Sequence, residues 1–326
     1  MIFKRYQYTW DANKAVFSLV IATLLLVGAC ASVNQTTMDP KRYFDGTALT
    51  LAKAIQQNQL NEVKQLAQQI ELNKLYREDM TPLMWAMVVN QEEAFSLLLK
   101  VGADPNLKDK DGTQPIGLAA GGKDNNIYLK ILLEHRGDPN SMNHTEPALH
   151  IAFDSEFYKN VDLLLAAGAD INGRDRHGNT ILIKAGYQEK FDRAIDLINR
   201  GADIQPVASS GGGIALEVQE STPKEGSPAH QAQARLKKLL VERGIKFPIE
   251  DPSAKPYAEL LMRWRQTPEG QKWQQKRQQL ADDPMGFGRA WVETDRAAFV
   301  AFKAWMQANG IPEPTQPKAK PIGLNE

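Results

Sequence analysis

The sequence predicts an all-α protein: a solenoid of stacked helix pairs with short β-hairpin fingers, followed by a small helical C-terminal segment. The first observation is a hexapeptide, Thr-Pro-Leu-Met-Trp-Ala at residues 81–86, whose pattern recurs every 33 residues. The second is a pair of large aliphatic residues after each hexapeptide, followed by Gly-Ala-Asp or a close variant. Several features recurring in phase indicate repeats that bury their apolar faces against one another. The alanines that close the hexapeptides are Ala86, Ala119, Ala152 and Ala185.

Each marker has a local physical role. Thr81 and Thr180 precede the first helix of their units, where a hydroxyl can accept from an orphan helix amide. Pro82 and Pro115 fit the first helical position, because the missing N–H would have no partner there. The glycines after the aliphatic pair predict left-handed closure of each second helix. These glycines are Gly102, Gly168 and Gly201.

The period and both markers resemble the ankyrin repeat, over about residues 47–247. Residues 47–66 are interpreted as an N-terminal cap. The second unit departs from the pattern, since it reaches its glycine, Gly137, two residues late and its finger is correspondingly shorter. In the last unit a polar insertion at residues 221–229 separates the two helices. With both caps, the repeat region is predicted to span residues 43–247.

The resemblance implies that a protein partner binds on the fingers and on the concave side of each first helix. When the repeat positions of that family are assigned to this sequence by the 33-residue spacing, they include charged residues on the fingers and apolar or aromatic residues that are expected to face solvent. Trp85 occupies a position that usually faces the core, so we expect it to be buried. The candidate partner-binding residues are Arg77, Glu78, Met80, Val88, Lys110, Asp111, His144, Glu146, Arg176, His177 and Tyr187.

The N-terminus predicts a secretion signal and a lipid anchor. Residues 1–29 combine basic residues with an uncharged run too short for a comfortable membrane span of about 20 residues. The run ends in Val-Gly-Ala-Cys, which resembles the lipobox of bacterial lipoproteins and makes Cys30 the predicted lipidation (palmitate and diacylglycerol) site. Residues 30–42 then form a polar tether. The resemblance implies an outer-membrane protein facing the periplasm, with an uncleaved anchor or a plain signal peptide as alternatives.

Composition changes after residue 248. Residues 248–311 predict a helical segment rich in tryptophan, with Trp264 and Trp273 interleaved with basic residues, and residues 312–326 predict a disordered tail. One interpretation is a cap on the last repeat, with buried tryptophans and a solvated charged face. The alternative is a second binding module with a surface for nucleic acid or anionic lipid.

Composition argues against several other classes. The 39 basic residues balance 39 acidic ones, which does not suit a nucleic-acid-binding protein. The single cysteine excludes an intramolecular disulfide, and no two of the five histidines lie three or four residues apart as helical metal ligands would. No nucleotide-binding or nucleophile motif is found, and His150 is interpreted as structural. We therefore expect no enzyme activity, no cofactor and no metal.

The leading hypothesis is a non-catalytic, periplasm-facing lipoprotein that binds another protein. A sharper form is an immunity or inhibitor protein against an envelope-acting toxin or lipase. A structural role in envelope maintenance is a further alternative.

Overall fold

The computed structural model describes residues 38–208, 211–249, 257–283, 285 and 289–312. The predicted signal peptide, Cys30 and residues 313–326 of the predicted tail lie outside the described residues. The chain divides into two compact units, Met1–Asp175 and Arg176–Glu326. The described part of each is mostly helical, in agreement with the predicted fold class.

The first unit is a stack of antiparallel helix pairs. The first pair, α1 and α2, occupies the position of the predicted N-terminal cap and is preceded by a short 3-10 segment at Pro40–Arg42. The pairs are α1 (Gly46–Gln56) with α2 (Leu60–Ala67), α3 (Pro82–Val88) with α4 (Glu92–Lys100), α5 (Pro115–Gly122) with α6 (Ile127–Glu134), and α7 (Ala148–Asp154) with α8 (Tyr158–Ala166).

The predicted register is confirmed by burial and capping. The alanines at positions 86, 119 and 152 are fully buried, so each first helix packs closely on its neighbours. Thr81 is the N-cap of α3, and its Oγ1 accepts from the amide of Met84 at 3.0 Å. Pro82 and Pro115 each stand at the start of a helix.

Trp85 is buried, as predicted, with 0% of its surface exposed. Its indole Nε1 donates to the carbonyl of Ala52 at 2.9 Å, which ties α3 to α1. Tyr43 and Phe44 pack on the indole with ring centroids 5.7 and 5.9 Å away. Tyr43 and Phe44, in the segment before α1, therefore cover the Trp85 side chain.

The expected closure of α6 at Gly137 is wrong. The left-handed residue is Arg136, at φ 66°, whereas Gly102 and Gly168 hold the equivalent position elsewhere at φ 109° and 94°. Gly137 is required for a different reason, because a Cβ there would lie 2.5 Å from Cδ1 of Ile116 and 2.8 Å from the carbonyl of Leu132. The unit therefore runs one residue late at this point rather than two.

A buried amide network holds the longer turn between α5 and α6. Asn160, on α8, donates to the carbonyls of Ala120 and Lys123 and accepts from the amide of Asn126. Asn126 in turn donates to the carbonyl of Ala119 at 2.7 Å. Both side chains are almost completely buried, so this network fixes the turn to the following repeat.

The fingers are mostly turns. Within the described residues, β1 (Met142–Asn143) and β2 (Glu146–Pro147) form the one two-stranded ladder, antiparallel with Asn143 opposite Glu146, and an isolated antiparallel bridge joins Val207 to Gly213 in the second unit. In the preceding finger the carboxylate of Asp109 accepts from the amides of Asp111 and Thr113 at 2.9 and 2.7 Å. Side-chain capping therefore replaces the ladder expected of a β-hairpin.

The second unit continues with helix pairs and then the tryptophan-rich helices. Thr180 caps its first helix by accepting from the amide of Ile183 at 3.3 Å. Residues 221–227 separate α11 from α12, so the predicted insertion at residues 221–229 is shorter than expected because its last two residues, Pro228 and Ala229, begin α12. The helices are α9 (Ile181–Tyr187), α10 (Phe191–Asn199), α11 (Ile214–Glu220), α12 (Pro228–Glu242), α13 (Ala258–Arg265), α14 (Pro268–Asp282) and α15 (Arg289–Ala308).

The helices after residue 248 pack against the last repeat. Trp291, on α15, is fully buried and its Nε1 lies 3.3 Å from a carboxylate oxygen of Glu220 at the end of α11. Trp264 is buried in a cluster with Phe302 and Met306, and Trp273 is partly buried against that cluster. The tryptophans thus serve as core, which favours the cap interpretation of this segment.

Candidate functional site

The finger between α2 and α3 carries two of the predicted binding residues on a left-handed turn. Arg77 and Glu78 are exposed, and Glu78 and Asp79 both have φ near 54°. Such backbone costs about 1–3 kcal/mol per non-glycine residue and persists where the surroundings enforce it. Here backbone hydrogen bonds close the turn, since the amides of Tyr76 and Asp79 donate to the carbonyls of Met80 and Tyr76 at 3.0 and 3.1 Å.

Three ion pairs fix this finger. Arg77 Nη2 lies 2.9 Å from Asp45 Oδ2, and Arg42 Nε lies 3.0 Å from Glu78 Oε1. On the other side, Lys110 Nζ lies 2.7 Å from Asp79 Oδ1, and that hydrogen bond raises the pKa of Lys110. The sequence does not predict these pairs. Arg42 and Asp45 precede α1, Asp79 lies on the finger before that of Lys110, and each meets its partner only in the folded chain.

The next two fingers present further exposed polar side chains. Lys110 and Asp111 are exposed at the tip of one finger, and His144 is exposed at φ 54° between β1 and β2. Thr113 Oγ1 lies 3.2 Å from Asn143 Oδ1, which links the two fingers. The first unit therefore brings Arg77, Glu78, Lys110, Asp111 and His144 to the tips of successive fingers.

The expectation that Met80 faces solvent is wrong. Met80 is only 3% exposed, because its backbone pairs with Tyr76 and Arg77 across the turn and directs its side chain inward. Thr113, 33 residues later, is buried too, so this register position belongs to the framework in both fingers. Glu146 occupies it in the third finger and is partly exposed.

The remaining candidates differ in exposure. Val88, at the end of α3, is partly buried. In the second unit, Arg176 and His177 are exposed, and Arg176 Nε donates to His177 Nε2 at 3.0 Å. Tyr187, at the end of α9, is partly buried. The apolar part of the predicted surface is therefore smaller than expected, and the charged finger tips dominate it.

The surface suits recognition of another macromolecule's charged and polar groups. Each ion pair has at least one partner whose side chain is more than half exposed, so the charged groups of a binding partner can reach it. No helix in the part of the chain that the structure describes has the length and apolar character to cross a bilayer.

Comparison with known proteins identifies the repeats. Residues 16–109 and 98–175 match the family model described as "Ankyrin repeats (3 copies)". Protein PhlB of Serratia liquefaciens is 33% identical over 171 residues, which cover 52% of this chain and 74% of that protein. The nuclear factor NF-kappa-B p105 subunit of Gallus gallus is 33% identical over 145 residues, 43% of this chain but 14% of that protein. The matched segment thus spans a small part of p105.

A solved structure shows the same architecture. The ankyrin repeat domain of Bcl-3, described as a unique member of the IkappaB protein family, has a TM-score of 0.53 and 24% sequence identity. The match covers 76% of this chain and 97% of that domain. At this identity the likeness concerns the fold alone.

Proposed function

Because the chain belongs to the ankyrin-repeat family, we propose that it is a non-catalytic module that binds a protein partner through the fingers of successive repeats. The observation that supports this most directly is the set of finger tips. Arg77, Lys110, Asp111 and His144 are exposed, while Met80 and Thr113 on the same fingers are buried. Surface side chains that the fold does not need are the ones free to serve recognition.

Charge governs how such a surface would work. Mixed charges on the finger tips would steer a partner of complementary pattern and set its register, and their effect on the association rate would fall as salt rises. The partly buried Val88, at the end of α3, would supply apolar contact area on the first helix of its pair.

The proposal includes a location. Cys30 would carry a lipid anchor after removal of residues 1–29, and the repeats would face the periplasm from the outer membrane. The support is the sequence pattern around Cys30 alone.

Site-specific photocrosslinking in intact cells tests the binding face. A benzoyl-phenylalanine placed at Asp111 or His144, both exposed finger positions, should give a discrete adduct with one partner. The matched control is the same probe at Lys64, which is exposed on α2, the second helix of its pair. Adducts from Lys64 alone, or equal adducts from all three positions, would show that the fingers are not the binding face.

An inhibitory form of the same function has one supporting observation. NF-kappa-B inhibitor alpha of Sus scrofa, by name an inhibitor, is 33% identical over 104 residues that cover 29% of this chain and 32% of that protein. If this chain inhibits its partner, the crosslinked partner should lose its own activity when the purified chain is added, and finger variants should restore it. A partner that keeps full activity when saturated would exclude this form and leave the binding function intact.

A further inference from the structure

We propose that Glu146, His150 and Asp175 bind one divalent transition-metal ion, with Zn²⁺ the best fit to the ligand set. Each residue offers one ligand atom, and the three atoms lie within 4.8 Å of one another. The residues come from three different places in the first unit: Glu146 from β2, His150 from α7, and Asp175 from the end of the segment after α8.

The imidazole of His150 is oriented as a metal ligand would be. Its side chain is buried, and its Nε2 lies 2.9 Å from the carbonyl oxygen of Gly173. A carbonyl can only accept, so Nε2 carries a proton, and Nδ1 is the ring nitrogen that would bind a metal ion in place of its own proton. A backbone carbonyl that holds the far ring nitrogen in this way fixes the tautomer and ring orientation of metal-binding histidines.

The spacing on the other side of the ring suits an ion between the residues. Nδ1 of His150 lies 3.7 Å from Oε1 of Glu146, which is longer than a hydrogen bond. Two bonds of about 2.0–2.2 Å to a shared Zn²⁺ span up to about 4.2 Å, so this pair can already share an ion. The three ligand atoms lie within 4.8 Å of one another, so any pair separated by more than about 4.2 Å needs a carboxylate to rotate inward before all three can bind one ion.

The charges and exposure favour a transition metal with access from solvent. Two carboxylates beside a buried imidazole concentrate negative charge that a divalent cation would offset. The Glu146 side chain is 29% exposed, so an ion can enter from the finger side and keep water in its remaining positions. One imidazole nitrogen with two carboxylate oxygens favours Zn²⁺ over Mg²⁺ or Ca²⁺, which take oxygen ligands.

This site would add a crosslink to the fold. The ion would join the third finger to the start of the following one, which begins at Asp175, so its binding would raise the stability of the first unit. The site does not depend on the proposed partner. A search of the sequence for two histidines three or four residues apart on a helix does not find this site. The site has a single histidine, His150, and one of its carboxylates, Asp175, comes from the next finger.

Calorimetric titration of Zn²⁺ into the full chain after treatment with chelator is the first test. We expect saturable binding of one Zn²⁺, a rise in melting temperature with Zn²⁺, and no comparable binding of Mg²⁺. The conservative variant Glu146→Gln should bind Zn²⁺ at least tenfold more weakly, as expected for the loss of a ligand. The matched control is His144→Gln, which removes the exposed histidine of the same finger and should bind like wild type.

Three results would overturn the proposal: no saturable site in the wild type, unchanged affinity in Glu146→Gln, or loss of binding in His144→Gln. Circular dichroism without metal checks that the variants fold. An independent measurement on the unaltered chain is NMR of ¹⁵N-labelled histidine. Zn²⁺ should shift the Nδ1 resonance of His150, and a spectrum in which only exposed histidines respond would also rule the site out.

Discussion

Replacing Asn160 with alanine should destabilise the first unit strongly. Asn160 is fully buried, and its Nδ2 donates to the carbonyls of Ala120 and Lys123 at 3.0 and 2.6 Å. Its Oδ1 accepts from the amide of Asn126 at 3.0 Å. The substitution Asn160→Ala removes these three hydrogen bonds at once. The carbonyls of Ala120 and Lys123 and the amide of Asn126 then lose the side chain that they bind.

The expected loss can be worked from these contacts. A hydrogen bond contributes about 0.5–1.5 kcal/mol net, so three contribute about 1.5–4.5 kcal/mol, and groups left buried without a partner move the cost toward the upper end. The better helix propensity of alanine returns about 0.5 kcal/mol. We therefore expect the free energy of unfolding to fall by about 2–4 kcal/mol, measured from urea unfolding followed by circular dichroism.

The control is the preceding residue on the same helix. Lys159 is exposed, and its backbone amide, which the substitution keeps, donates to Asp124 Oδ1 at 2.9 Å, so Lys159→Ala should change stability by less than about 0.5 kcal/mol. A cost below about 1 kcal/mol for Asn160→Ala, or equal costs for the two variants, would refute the reasoning that the amide network holds the turn.

Other predictions concern anchoring, packing and backbone strain. Cys30→Ser should abolish incorporation of labelled palmitate and release the protein from membranes; wild-type protein that takes up no label would contradict the lipoprotein proposal. Ala152→Trp should overpack a fully buried position and cost about 1–3 kcal/mol or more, whereas Ser221→Ala, which loses the 2.7 Å hydrogen bond from its Oγ to the carbonyl of Glu217, should cost about 0.5–1.5 kcal/mol; a wild-type melt for Ala152→Trp would argue against the register. Met80→Ala should lower the free energy of unfolding by about 2–5 kcal/mol, since the side chain is buried; a wild-type melt would show that it is not framework. Glu189→Gly should raise stability by up to about 1 kcal/mol in urea unfolding, because Glu189 has φ 56°, and a loss of stability would mean that other contacts of the glutamate outweigh the strain.

The finger surface shows where prediction from the sequence reaches its limit. The exposed positions of Arg77, Lys110 and His144 could be predicted from the sequence, because the 33-residue spacing locates the turns around them. The expectation that Met80 is exposed is wrong because the direction of its side chain depends on the hydrogen bond from the Tyr76 amide to the Met80 carbonyl. The residue type does not reveal that contact. A buried methionine and an exposed one look the same in a sequence.

By itself the sequence determined the period, the helix starts and the framework. Alanine at a fixed 33-residue spacing, threonine caps such as Thr81 and prolines at first positions act within a few residues, so their effects can be predicted from local chemistry. The tertiary structure decided the rest. Arg136 holds the left-handed position while the neighbouring Gly137 lies close to Ile116, and Glu146, His150 and Asp175 meet only in the folded chain. These outcomes depend on contacts between residues distant in the chain, and only folding brings such residues together.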